Sequence, residues 1–147
     1  AVDTCVSRKG GELAAFTVKS PLDVVRLIHK AYPEASALPQ EQFFVVLVDT
    51  RHQPLAISRP FIGGLASTNV EIGPILRPAV MLPCKALIIA HNHPSGDPSP
   101  SQDDVRLTAR IVQAAAVLGF KVLDHLILTP EPHVYHSFVD NGEMPNG

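Results

Sequence analysis

Tryptophan is absent, and the aromatic complement is six Phe and two Tyr, so the interior has to be built from aliphatic side chains. Cysteine is scarce: Cys5 and Cys84 are the only two, and neither belongs to a Cys-x-x-Cys pair. That excludes a disulfide framework and reads as a free thiol near one end and a buried small hydrophobe. No apolar run approaches the roughly 20 residues of a membrane-spanning helix, and residues 1–11 lack the apolar stretch of a signal peptide. A reducing cytoplasm is the expected setting, with no membrane partner. Strong charge of either sign is also missing. The net charge is -2, Lys and Arg are scattered, and Arg8-Lys9 is the one adjacent basic pair. Nucleic-acid binding, which normally writes a basic patch into a sequence, has no support from composition.

What is present suits a soluble domain. A chain of 147 residues, 46% hydrophobic and 18% charged, can bury about two-thirds of its unfolded surface and needs no oligomer for a core. No repeat or low-complexity linker divides it, so one domain is expected over residues 1–147, with an ordered core at 20–138 and loose ends at 1–11 and 140–147.

Ser20-Pro21 ahead of an apolar run predicts a capped helix that stops near Tyr32-Pro33. Residues 42–48 form a β-branched and aromatic run typical of a buried strand, and 55–61, ending at Gly63-Gly64, read as its hairpin partner. Between Asn69 and Leu82 helical spacing conflicts with Gly73, Pro74, Pro78 and Pro83, which leaves a short or broken helix. Residues 86–90 are apolar throughout and short enough for a buried strand. A Pro- and Gly-rich stretch follows, and Ser99 is expected to cap the next helix, with Pro100 in its first turn, Gln102 completing a capping box and Gly119 at its end. Residues 121–128 and 134–138 read as two further strands. Helices interleaved with strands, plus one hairpin, predict an α/β or α+β domain with a mixed central sheet flanked by helices.

The chemistry concentrates between His91 and Asp104. Two histidines two apart at the exit of a strand point the same way, and Pro94 keeps His93 out of helical geometry. Asp104, near the start of the following helix, can bring a carboxylate back toward both rings. Two imidazole nitrogens and a carboxylate suit zinc, with a fourth position left for water whose pKa the metal lowers toward 7. Spacing alone does not settle this. His-x-His also fits two ordinary core or surface histidines, Ser-Gln-Asp-Asp is what capping and the helix dipole favour, and Asp97 and Asp103 compete with Asp104 as ligand.

His91-x-His93, with Ser101 and Asp104 downstream, matches the His-x-His…Ser-x-x-Asp signature of JAMM (MPN-type) zinc metalloproteases. The longer string HNHPSGDPSPSQDD resembles the RadC branch of that family, and the resemblance runs from about Ser20 to Phe138 through EQFFVVLVD, Phe61-Ile62-Gly63 and LGFKVLDHLIL. It implies a cytidine-deaminase-like JAMM/MPN fold, one Zn2+ held by His91, His93 and Asp104, Ser101 supporting the tetrahedral intermediate, and Glu41 as the acid/base on the metal water. Glu34 and Glu71 are the neighbouring glutamates, and neither sits in the matching context. His125 is read as a structural histidine satisfied within the sheet. His29, His52, His133 and His136 are read as surface or structural, and Asn92 and Ser95 as groups that shape the loop or position the residues around the site. The resemblance further implies that a chain this short lacks the helix-hairpin-helix module of longer RadC-like proteins, as in stand-alone forms on mobile elements.

The leading expectation is therefore a zinc metallohydrolase acting on a peptide or isopeptide bond, with a protein, peptide or ubiquitin-like conjugate as substrate. The alternatives are an accessory protein of DNA repair or recombination and a non-catalytic interaction module. A nucleoside deaminase is set aside: it needs His-x-Glu and Pro-Cys-x-x-Cys, whereas the chain offers Pro83-Cys84-Lys85-Ala86-Leu87.

Overall fold

The computed structural model describes residues 3–6, 17–63 and 70–146. Its elements are, in order, β1 (Asp3–Val6), α1 (Pro21–Ala31), a 3₁₀ turn (Ala35–Ala37), β2 (Gln42–Val48), β3 (Pro54–Ile62), α2 (Ile72–Met81), β4 (Ala86–Asn92), α3 (Gln102–Val117), β5 (Lys121–Leu128) and β6 (Tyr135–Ser137). The strands make one six-stranded mixed sheet in the order β1-β3-β2-β4-β5-β6. Only β4 and β5 are parallel, joined through α3; every other pair is antiparallel.

Alternation along the central strands divides the interior into two layers, because successive side chains leave a strand on opposite faces. Phe43, Val45, Leu47, Leu87 and Ile89 face one layer with Ile75, Leu76 and Ala79 of α2 and Leu107, Ile111 and Ala115 of α3. Phe44, Val46, Val48, Ile88 and Ala90 face the other, under Val24, Val25, Leu27 and Ile28 of α1. Burial on both faces explains why these strands read as continuous apolar runs. Cys84 is a buried free thiol, as expected.

Four details differ from the sequence expectation. Residues 72–81 form one continuous helix despite Pro74 and Pro78. Pro74 lies in the first turn, where its missing N–H costs nothing. Pro78 lies inside the helix and costs up to about 3 kcal/mol there, which burial of Ile75, Leu76 and Ala79 offsets. The second difference is the start of α3: its N-cap is Ser101, not Ser99, and the reciprocal partner is Asp104, not Gln102. Ser99 is occupied elsewhere, its N–H donating to Asp97 Oδ1 at 2.9 Å. Third, Asp3–Val6 add an edge strand to β3 where a loose end was expected; residues 1–2 and 7–11 of that end, like Gly64, lie outside the described residues. Fourth, the segment after β6 is tied down. The Glu143 N–H donates to the Phe138 carbonyl at 2.8 Å, and Met144 packs on the core. Asp124 anchors this region, its buried carboxylate accepting from Ser137 Oγ (2.6 Å), Val139 N (3.0 Å) and His125 N (2.7 Å). No helix among the described residues is long and apolar enough to cross a membrane.

Candidate metal centre

The α2/α3 face of β4 runs Leu87, Ile89, His91, so the first histidine is a continuation of the core stripe. His91 is only 2% exposed, and its ring stacks on Phe43, with centroids 6.4 Å apart and planes within 6°. His93 follows on the same side just past the strand. Its N–H donates to the Leu128 carbonyl at 2.7 Å, which extends the β4–β5 pairing into the loop. Its ring is fixed at Nδ1, which donates to the Asp97 carbonyl at 2.8 Å. A carbonyl can only accept, so Nε2 is the nitrogen left to face the site.

Asp104 arrives from α3. The capping box orients it: the Asp104 N–H donates to Ser101 Oγ at 3.0 Å, and the Ser101 N–H donates to Asp104 Oδ2 at 2.7 Å. A carboxylate in the first turn of a helix is favoured by the helix dipole as well. The three groups converge. His91 Nε2 is 3.1 Å from His93 Nε2, and the two nitrogens lie 3.0 and 3.2 Å from Asp104 Oδ1 and Oδ2. One donor atom from each residue falls within 4.8 Å of the others. Tetrahedral zinc with legs of roughly 2.0–2.2 Å spaces its ligands about 3.3–3.5 Å apart. The two rings meet different oxygens of Asp104, so both imidazoles would have to turn toward one carboxylate oxygen to share an ion. Asp97 does not compete through its side chain, which turns to Ser99, and Asp103 points to Arg106.

Electrostatics follow the geometry. Burial pushes the Asp104 carboxyl up, but hydrogen bonds from His91 and His93 outweigh it and hold the group well below the ordinary carboxylate range. His93 is raised above its ordinary value of 6.5 by its bond to Asp104, against the effect of burial, with smaller help from the Asp97 carbonyl and the charge of Glu41. A raised imidazole favours its protonated form in the metal-free protein. That contribution to stability is complete below the ordinary pKa and is lost as pH rises through the raised value. A metal must displace the same proton, so its affinity is expected to climb with pH until His93 has titrated, at a midpoint above 6.5. Calorimetric metal titrations between about pH 5 and 8 check this, and an affinity that levels off below 6.5 would refute it.

Glu41 is exposed at the head of β2. The β2–β4 register pairs Phe43 with His91, and continuing it two residues sets Glu41 opposite His93. Its backbone is clamped from β4: Asn92 Oδ1 accepts the Gln42 N–H at 2.5 Å, and Asn92 Nδ2 donates to the Gln40 carbonyl at 3.2 Å. The middle residue of His-x-His therefore brackets Glu41 on both sides. Of the two roles expected of Asn92, shaping the loop or positioning neighbouring groups, the contacts match the second, since it holds the β2 head. Ser101 is exposed at the mouth, its oxygen accepting from Asp104 and its proton left to donate. His125 is buried, with one partner within the sheet, as expected, and one beyond it: it touches His91 on β4 and Thr108 on α3. Burial pushes it well below 6.5, and the neighbouring His91 adds to the shift. Sequence reasoning counts Thr108 only toward the apolar face of α3, with no role at the site. The signal available was its place one helical turn after Asp104.

Comparison with known proteins agrees with this architecture. A model described as "RadC-like JAB domain" matches residues 18–143. A UPF0758 protein of Chloroflexus aurantiacus is 40% identical over 113 residues, covering 77% of this chain and 48% of the relative. UPF0758 proteins of Alkaliphilus metalliredigens and Moorella thermoacetica are 39% and 40% identical over 129 and 124 residues, covering 88% and 81% of this chain and 53% of each relative. The chain thus spans about half the length of the curated relatives it matches. With the family model covering most of the chain and the His-His-Asp cluster at the end of β4, the protein belongs to the RadC-like JAB domain family.

Proposed function

We propose that the protein is a zinc-dependent hydrolase that cleaves a peptide or isopeptide bond in a protein or peptide substrate, ubiquitin-like conjugates included. The observation that carries this reading is the convergence of His91 Nε2, His93 Nε2 and the Asp104 carboxylate, with Glu41 set opposite His93. Two imidazoles and one carboxylate are a zinc donor set with a position to spare. Bound there, zinc would supply Lewis acidity toward a carbonyl and would lower the pKa of water toward 7.

The remaining steps belong to side chains. Glu41 takes the proton of the attacking water and returns it to the leaving amine, as a positioned carboxylate can. Ser101, whose oxygen is engaged by Asp104 N–H, donates its own proton to the oxygen that becomes negative as the carbonyl turns tetrahedral. Asn92 holds the β2 head so that Glu41 stays over the site.

The test is metal content, by mass spectrometry, of protein purified without added metal. About one zinc per chain is expected, and none in a His91→Ala/His93→Ala variant. Absence of zinc from both, even after reconstitution with the ion, would remove the hydrolase reading and favour a non-catalytic interaction module.

A further inference from the structure

At its C-terminal end β4 sends consecutive side chains to opposite faces of the sheet. His91 and His93 go to the face that carries the metal cluster. Asn92 continues the other stripe, that of Ile88 and Ala90, toward α1. On that face lies a cavity of about 290 Å³, lined by Asn92 and Pro94 together with Tyr32, Phe44 and Leu128. The residues on either side of His93 are thus part of its wall. Cavity and cluster share one end of one strand.

The lining restricts what can enter. Among the described residues around the cavity none is Asp, Glu, Lys or Arg. Asn92 and Thr129 spend their side-chain polar atoms on backbone partners. Tyr32 and Phe44 meet with centroids 5.4 Å apart and planes tilted by 53°, a pair to which a third ring can add by edge or face. His29 also lines the cavity, and its Nε2 is buried without a hydrogen-bond partner. A buried polar atom left unpaired is uncommon in a folded chain and calls for an explanation. Burial lowers the His29 pKa against the opposing charge of Glu131, so the ring is neutral near pH 7. A phenol both donates and accepts, and so can pair with that nitrogen in either tautomer. The volume stands at the small end of ligand pockets, enough for one side chain and too little for a length of peptide.

We propose that this cavity is a subsite for a tyrosine side chain of the substrate, its ring against Tyr32 and Phe44 and its hydroxyl paired with His29 Nε2, an inference that rests on the peptidase reading of the metal centre. A charged side chain would lose its hydration there with nothing to replace it, and an aliphatic one would leave His29 unpaired. The path from one face of the strand end to the other is on the order of 10 Å, which an extended chain covers in about three residues. The tyrosine therefore lies about three residues from the bond that is cleaved.

The experiment uses the full chain, first without metal, with p-cresol, toluene, butylamine and propionate as probes. In methyl NMR p-cresol should shift Ile28, Ala35 and Leu128, give intermolecular NOEs to His29, and bind up to about tenfold more tightly than toluene, the gain of one hydrogen bond. The two charged probes should leave those methyls unmoved. His29→Phe keeps a ring and removes the nitrogens; it should still take toluene, which also shows that it folds, and lose the preference for cresol. Equal binding of cresol and toluene by the wild type would overturn the proposal, as would a preference that survives His29→Phe or charged probes that shift the same methyls. The wild-type comparison and its NOEs decide alone should the variant not fold. In the zinc-loaded protein, peptides with tyrosine at successive distances from the scissile bond should show the lowest KM at about three residues. Cleavage indifferent to the place of tyrosine would remove the subsite and leave the hydrolase; a protein that takes cresol at His29 yet cleaves no peptide would remove the hydrolase and leave the cavity's preference standing.

Discussion

Replacing Glu41 by Gln is expected to slow hydrolysis by roughly 10²–10⁴-fold, the usual contribution of a positioned general acid–base, while zinc content stays at the wild-type level. The substitution is nearly isosteric and removes only the capacity to take and return a proton. Glu41 lies outside the cluster that could hold the metal, and its exposed side chain bears none of the core. The backbone beneath it is fixed by other residues. Asn92 clamps Gln40 and Gln42, and Gln42 is pinned further by Arg59 Nη1 at 2.9 Å and by its own bond to the Ala35 carbonyl at 2.9 Å. A loss of rate therefore cannot be blamed on a collapsed strand. The measurement is turnover of any peptide or isopeptide substrate the wild type cleaves, beside zinc stoichiometry of both proteins. A Glu41→Gln variant that keeps its rate would transfer the role to another group. Neither neighbouring glutamate offers a ready substitute: Glu34 is paired with Arg59 at 3.1 Å, and Glu71 stands at the start of α2, away from the β2 head that lies opposite His93.

The parts of this molecule that were legible in its sequence are those where one local signal dominates. β2 was placed to the residue because an apolar run buried on both faces has few competing readings, and β5 because Gly119 marks its start and its aliphatic residues end at Thr129-Pro130. The helix after Ser20-Pro21 was equally plain. The start of α3 was not, because Ser99-Pro100-Ser101-Gln102-Asp103-Asp104 supports two capping registers. Ser99 with Gln102 and Ser101 with Asp104 satisfy the same rule. What separates them is partly a local turn, in which Asp97 captures Ser99, and partly tertiary, since Asp104 is drawn toward His91 and His93. Pro78 hid a helix whose stability comes from Ile75, Leu76 and Ala79 beneath the sheet, which no local propensity records. β1 was invisible for a related reason, since four residues become a strand only when the edge of β3 is there to pair with them.

The site shows the same division. Spacing nominates candidate donors, because two residues along a strand share a face and three along a helix start meet a cap, but it leaves Asp97 and Asp103 beside Asp104 until the family resemblance ranks them. The groups that hold the donors it does not nominate. Asn92, Thr108 and His125 act across elements that are distant in sequence, and a Thr in a helix or a His in a strand has an ordinary structural explanation until its partners are seen.

Asp104 joins the two levels, and its variants should separate them. Asp104→Ala removes a candidate metal ligand, an arm of the capping box and the charge that pairs with His91 and His93. The cap accounts for about 1 kcal/mol and the charged hydrogen bonds for roughly 1.5–3 kcal/mol. The metal-free Ala variant is accordingly expected to lose roughly 2–4 kcal/mol of stability near neutral pH, on top of losing zinc. Asp104→Asn retains an amide oxygen able to accept the Ser101 N–H and so keeps much of the cap, but it surrenders the negative charge. It should bind zinc far more weakly than wild type while melting close to it once both are stripped of metal. The sign of the pH effect separates the variants further. Because Asp104 is held below the ordinary carboxylate range, its contribution is complete above that range and disappears only as pH falls through the depressed value. Wild type and Asp104→Ala should therefore differ most in mild acid, where His93 is protonated and Asp104 still ionised, and converge in strong acid. Denaturant melts of the metal-free proteins across pH, with zinc titrations at neutral pH, decide the matter. An Asn variant that binds zinc like wild type would remove Asp104 from the ligand set and leave it as a helix cap alone.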